Sequence, residues 1–107
     1  MSLVHGLCLS MKNKINIFGI EYKIEKRERI VTNEGVCHGL IDFETQIIYL
    51  DETLSKEEFQ QTLLHEAFHG VVKRLGLNQS IAHEVEEVLV DSFATFLIEN
   101  FHLRPRF

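Results

Sequence analysis

Residues 56–75 read KEEFQQTLLHEAFHGVVKRL, and this stretch decides the fold class. Ser55 stands three residues before Glu58, the spacing of a capping box, and Gly76 follows Leu75 as a C-terminal stop. Lys73 and Arg74 fall in the last turn, where cations meet the negative end of the helix dipole. The pattern predicts a helix over 56–75. Leu63, Leu64, Ala67, Phe68, Val71, Val72 and Leu75 surround most of its circumference, so it is expected to be buried rather than amphipathic.

Inside this helix lies His65-Glu66-Ala67-Phe68-His69. Imidazoles four positions apart share one helix face, roughly 5–6 Å apart at Cβ, and can reach one metal ion, the spacing used by zinc hydrolases. Glu66, about 100° further round, can face the open side of the metal and take a proton from water as a general base. The plainer alternative is a pair of hydrogen-bonded core histidines or a solvent-facing polar stripe. Buried polar groups without partners cost about 1–3 kcal/mol each, so such a cluster in an apolar helix calls for a cause.

A zinc site needs a third protein ligand, and the next helix offers one. Residues 81–101, IAHEVEEVLVDSFATFLIENF, predict a second helix capped near Asn78 or Ser80. Its later half is apolar nearly all round, which should enclose Glu87 and Asp91 at least in part. These two stand at i, i+4 on one face. Glu87 can complete the metal set of His65, His69 and Glu87, while Asp91 accepts a hydrogen bond from a ligand imidazole and fixes its tautomer. Glu84 and Glu86 read as a solvated first turn that complements the helix dipole.

With these residues in place, the chain resembles the ImmA/IrrE-type zinc metallopeptidases of bacteria and their mobile elements. In that pattern HExxH is followed on the next helix by E-x-x-A-N-x-F-A. Here the stretch is Glu87-Val88-Leu89-Val90-Asp91-Ser92-Phe93-Ala94, with Val90 in place of the alanine and Asp91 in place of the asparagine. Neither change removes a ligand. The Glu-x-x-x-Asp form is also similar to the gluzincin arrangement, in which the aspartate supports a zinc-binding histidine. The resemblance covers about residues 40–98 and implies His65, His69 and Glu87 as zinc ligands, Glu66 as base, and a protein substrate, often a transcriptional repressor in that family.

The N-terminal half reads as strands. Ile15, Ile17, Ile20, Tyr22 and Ile24 alternate with polar residues, and the slip in parity at Gly19 predicts a turn or bulge. Residues 25–29 are charged and read as a strand end or loop. Val36 to Phe43 and Gln46 to Leu50 flank Glu44-Thr45 as a hairpin without the favoured glycine. The expected fold is α+β: a small antiparallel sheet of about three strands packed against the HExxH helix and the helix of Glu87. Gln46 to Leu50 is the expected edge strand on which an extended substrate adds.

At 107 residues the chain is expected to form one domain. Met11 begins MKNKINIF, which reads as a natural start, so residues 1–10 are read as an extension outside the fold. The net charge of -5 comes without a basic cluster, which argues against nucleic-acid binding. No apolar stretch is long enough to span a bilayer and no signal peptide is visible, so a cytoplasmic location is expected. Cys8 and Cys37 are too few for a disulfide framework and read as free thiols; adjacent Cys37 and His38 point to opposite faces of a strand, against a joint metal site. There are no repeats or low-complexity tracts.

The expected activity is zinc-dependent hydrolysis of a peptide bond in a protein. Such enzymes add a donor for the tetrahedral oxyanion, for which Tyr49, His83 and His102 are the candidates. The rival expectation is a catalytically inactive zinc-binding peptidase-like domain that acts by binding a partner protein. A third is a structural domain whose HExxH is accidental.

Overall fold

The computed structural model describes residues 13–101. The fold is α+β, with a four-stranded mixed sheet, a separate two-stranded hairpin and two long helices. β1 (Lys14–Ile17) and β2 (Ile20–Arg27) form an antiparallel hairpin. Its two-residue turn places Phe18 at φ 49° and Gly19 at φ 86°. Positive φ at both central positions is what a tight hairpin turn needs, so the parity slip at Gly19 is a turn.

β3 (Ile30–Thr32) and β4 (Gly35–Cys37) make the separate hairpin, followed by β5 (Gly39–Asp42) and β6 (Ile47–Asp51). The segment Val36 to Phe43, expected as one strand, is thus broken at His38, whose carbonyl accepts the Asp51 N–H at 2.9 Å. The β5–β6 hairpin forms as expected, closed by the Gln46 N–H donating to the Asp42 carbonyl. Gln46 takes φ 59°, the left-handed position that glycine often fills. The Asp42 carboxylate accepts the Glu44 and Thr45 N–H groups at 3.0 and 3.2 Å.

The sheet differs from the expected antiparallel one. Its order is β1-β2-β6-β5, and β2 and β6 run parallel, with Ile24 opposite Ile48. A parallel pair needs a long crossover, and the β3–β4 hairpin with β5 supplies it. In consequence β6, which contains most of the expected edge strand Gln46 to Leu50, is central, and the edges are β1 and β5.

α1 (Lys56–Arg74) starts and stops as its sequence predicts. The Ser55 Oγ accepts the Glu58 N–H at 3.1 Å, and a Glu58 carboxylate oxygen accepts the Ser55 N–H at 2.9 Å. The latter bond holds the Glu58 carboxyl below its usual range. Thr62, Leu63, Ala67 and Gly70 form the buried face of α1, Leu64, Phe68, Val71 and Val72 are partly covered, and Leu75 is exposed. The burial expected from composition thus holds in part along the middle of α1 and fails at its C-terminal end. Gly70 lets α1 lie close to the sheet: a Cβ there would stand 2.6 Å from Ile17 Cδ1 and 3.1 Å from Ile41 Cδ1.

The core lies between this face and the sheet, where Ile17, Tyr22, Ile24, Ile41, Ile48 and Leu50 meet Leu63 and Ala67. A short 3-10 turn (Leu77–Gln79) leads to α2 (His83–Asn100). Neither Asn78 nor Ser80 caps α2. Its N-cap is Ala82, because the Ser80 and Ile81 N–H groups are spent on the Leu77 carbonyl, extending the turn by a residue or two. Among the described residues no helix is long and apolar enough to cross a membrane. The readings made for residues 1–11 and for His102 lie outside the described residues.

Ile48 and Leu50 are fully buried. Ile48→Ala is expected to cost about 2–5 kcal/mol, because the site is walled by strands on both sides and by α1 and collapses poorly. Urea denaturation of the two proteins measures this, with unchanged slope and a lowered midpoint as the expected result.

Candidate metal centre

α1 fixes His65 and His69 one turn apart, with ring centroids 4.9 Å apart and the rings tilted by 68°. Both turn Nε2 toward one point, at 3.3 Å from each other. α2 packs alongside and brings Glu87 to the same point: Oε1 lies 3.3 Å from His65 Nε2, and Oε2 lies 3.1 Å from His69 Nε2. The ligand atoms of His65, His69 and Glu87 all fall within 4.8 Å of one another, and this group could hold a metal ion.

The far side of His69 explains its tautomer: Nδ1 is 2.7 Å from a Glu86 carboxylate oxygen, and a carboxylate accepts, so the proton belongs on Nδ1 and the Nε2 lone pair faces the Glu87 carboxylate. His65 Nδ1 is 3.6 Å from an Asp91 oxygen. Three electron-rich atoms in contact repel unless a cation lies among them. A shared proton between the two Nε2 atoms would join the histidines but leave one lone pair facing Glu87. The donor set could therefore hold a metal ion, while two Nε2–H groups donating to the two Glu87 oxygens would satisfy the core-histidine alternative.

The structure corrects the reading of Glu86 as a solvated residue. Its side chain is 12% exposed and makes the shortest polar contact at the site. Position 86 lies one and two turns before Val90 and Ala94, the buried residues of α2, so it belongs to the packed face; that periodicity was the available signal. Glu84 is exposed, as expected of a first-turn carboxylate. Asp91 faces a ligand imidazole, as expected, but its side chain is 65% exposed and at 3.6 Å is beyond a direct hydrogen bond. Enclosure of Asp91 fails because α2 is packed on one side only.

Glu66 sits beside the group without joining it. Burial pushes its carboxyl above the usual glutamate range, against the pull of His65, His69 and an Ile41 backbone N–H; the nearby Glu87 adds to the rise. Such a shift brings a carboxylate closer to the proton affinity that a general base needs near neutrality.

A cleft of ≈ 810 Å³ opens over these residues, with His65, Glu66, His69, Glu87 and Asp91 on one wall and the β3–β4 hairpin, His38, Gly39 and Leu40 on the other. A Cβ at Gly39 would stand 2.6 Å from Thr62 Cγ2, so glycine permits β5 to approach α1 there. Of the expected oxyanion donors, Tyr49 is stacked under the Arg27 guanidinium, whereas His83 is exposed at the edge of the group, its Nε2 3.8 Å from the Glu87 oxygen that faces His69. His38, set aside in the sequence as the neighbour of Cys37, does line the cleft. Cys37 is a free thiol whose Sγ lies 3.4 Å from Thr32 Oγ1, outside the metal group. No family model, curated protein or solved structure matches this chain.

Two outcomes follow from this geometry. Glu86→Ala should weaken metal binding about 10–100-fold, and more than Asp91→Ala does, because Glu86 is the closer and better buried partner; competition with a chelator ranks the two. In metal-free protein, ionising Glu66 costs folding free energy, since the folded carboxyl titrates above its ordinary value of 4.5. Stability from this group is present at acid pH and lost as pH rises through the raised value. Glu66→Gln should accordingly raise Tm of the metal-free protein at neutral pH, and this gain should disappear below about pH 4.

Proposed function

We propose that this chain is a zinc-dependent metallopeptidase, similar to the ImmA/IrrE type, that hydrolyses a peptide bond in a protein substrate. The observation that carries the proposal is the convergence of two Nε2 atoms and one carboxylate on a single point in an open cleft. Zinc bonds of about 2.0–2.1 Å in a tetrahedron put neighbouring ligand atoms roughly 3.3–3.4 Å apart. Here the two Nε2 atoms are 3.3 Å apart, and the two oxygens of Glu87 lie one 3.3 Å from His65 Nε2 and the other 3.1 Å from His69 Nε2. Histidine nitrogens with one carboxylate form a common catalytic zinc set, which leaves one position open.

A zinc ion so held supplies a Lewis acid that polarises the scissile carbonyl and acidifies water at the open position. The chain's own residues do the rest. Glu66 accepts the proton of the attacking water and later gives it to the leaving amine, a two-way task suited by its raised proton affinity. Glu86 holds the His69 imidazole with Nε2 forward, and Asp91 faces His65 Nδ1 from 3.6 Å. The substrate strand expected on Gln46 to Leu50 is reassigned to β5, because β6 is paired on both sides while β5 is an edge whose Gly39 and Leu40 border the cleft. An extended peptide can add to that edge through its backbone.

The inactive, partner-binding alternative draws support from Tyr49, which is stacked on Arg27 rather than turned to the metal group. Mutants separate the two. His69→Ala should abolish stoichiometric zinc binding in elemental analysis. Glu66→Gln should retain zinc and remove all cleavage of a protein substrate cut by the wild type. Zinc-loaded wild type that cuts no member of a diverse peptide library would favour the binding domain.

A further inference from the structure

The helical layer has an uncovered side. α1 lies between the sheet and α2, and α2 packs chiefly on α1 through a strip that buries only Val90 and Ala94. On its far side Val85, Leu89, Ser92 and Phe96 recur at i, i+4, i+7 and i+11, flanked by Val88 and Phe93. Val85 is 48% exposed, Val88 66%, Phe93 53% and Phe96 55%. Phe93 also touches Phe68, with ring centroids 5.7 Å apart, which carries the apolar surface onto α1. There it meets a groove of ≈ 230 Å³ between Phe18, Leu64 and Val71. At roughly 100 Å² for each half-exposed phenylalanine, the α2 stripe alone comes to about 500 Å², near the upper end for a monomer's largest patch.

We propose that this face is the two-fold interface of a homodimer, in which α2 packs antiparallel on α2 of a second copy. The stripe is complementary to itself. Crossing the helices at a point between Ser92 and Phe93 sets each Phe93 against Ser92 of the other copy, and each Leu89 against Phe96 of the other copy. Large thus meets small around the axis, as an isologous contact requires. The stripe itself is uncharged, and Glu99, exposed at its edge one turn beyond Phe96, must stay in water at the rim of the pair. Two stripes together bury about 1,000 Å², the lower bound for a specific interface, and the groove on α1 extends it. A membrane surface is the poorer occupant, because α2 has no Lys or Arg and the chain has a net charge of -5. Glu87 points away from Leu89, on the opposite side of α2, so the dimer leaves the cleft open.

The test uses the full chain. Sedimentation equilibrium should give twice the 12.5 kDa chain mass. Phe93→Glu with Phe96→Glu should weaken association about 100-fold or more, with unchanged far-UV circular dichroism reporting that the fold is kept. Ser92→Cys, in a Cys8→Ser and Cys37→Ser background, should form an interchain disulfide under mild oxidation well before Glu44→Cys, which lies on the exposed β5–β6 turn. A wild-type monomer, a dimer that survives both glutamates, or cross-linking no faster at position 92 than at 44 overturns the proposal. A monomer whose α2 amides lose protection when residues 1–12 are deleted overturns it too, and assigns the face to that segment.

Discussion

Everything at the candidate site depends on the packing of α2 against α1. The two histidines come from one helix and need only its 3.6-residue turn, but the carboxylate that closes the set comes from the other. Its position is set by a narrow contact in which Val90 and Ala94 are the buried residues. Small side chains there bring the helices close enough for Glu86 to reach His69 and for Glu87 to reach both imidazoles. The same contact brings the negative charge of Glu87 near buried Glu66, and the repulsion adds to the rise that burial gives the Glu66 carboxyl. A bound cation relieves that repulsion, so metal binding and docking of α2 contribute to the same free energy.

The parts of the site that were legible in the sequence are those fixed by one helix. His65, Glu66 and His69 owe their relation to helical geometry alone, and the capping box at Ser55 and Glu58 with the stop at Gly76 sets the limits of that helix from local chemistry. Glu87 was legible because it stands next to a packed face and one turn before Asp91. Glu86 was not, because an acidic residue in a first turn has an ordinary explanation in the helix dipole. What separates it from exposed Glu84 is its alignment with Val90 and Ala94, which shows only once the packed face of α2 is distinguished from the equally apolar free one.

The sheet was legible strand by strand but not in its order. Alternation of apolar residues marks β1, β2 and β6, and the β5–β6 hairpin follows from adjacency. Parallel pairing of β2 with β6 is a long-range choice, made because burying Ile24 beside Ile48 and Leu50 under α1 completes the core. No local pattern encodes it. That choice moves β6 from the edge to the centre and leaves β5 at the rim of the cleft. The strand with the weaker apolar pattern thereby becomes the one with free backbone groups beside the metal ligands.

Composition alone could not separate two causes of an apolar helix. α2 is rich in Val, Leu and Phe on nearly every side, and burial of the whole helix is the natural inference from that. Only Val90 and Ala94 of it are fully buried. The remainder is too apolar, and too evenly spaced along the helix, to be explained by scattered exposed residues. A chain of this length has little core to spare, and placing two exposed phenylalanines and three exposed valines or leucines of α2 outside it is costly unless something covers them. Because α2 also carries Glu87, whatever covers its free face restrains the helix that completes the metal set.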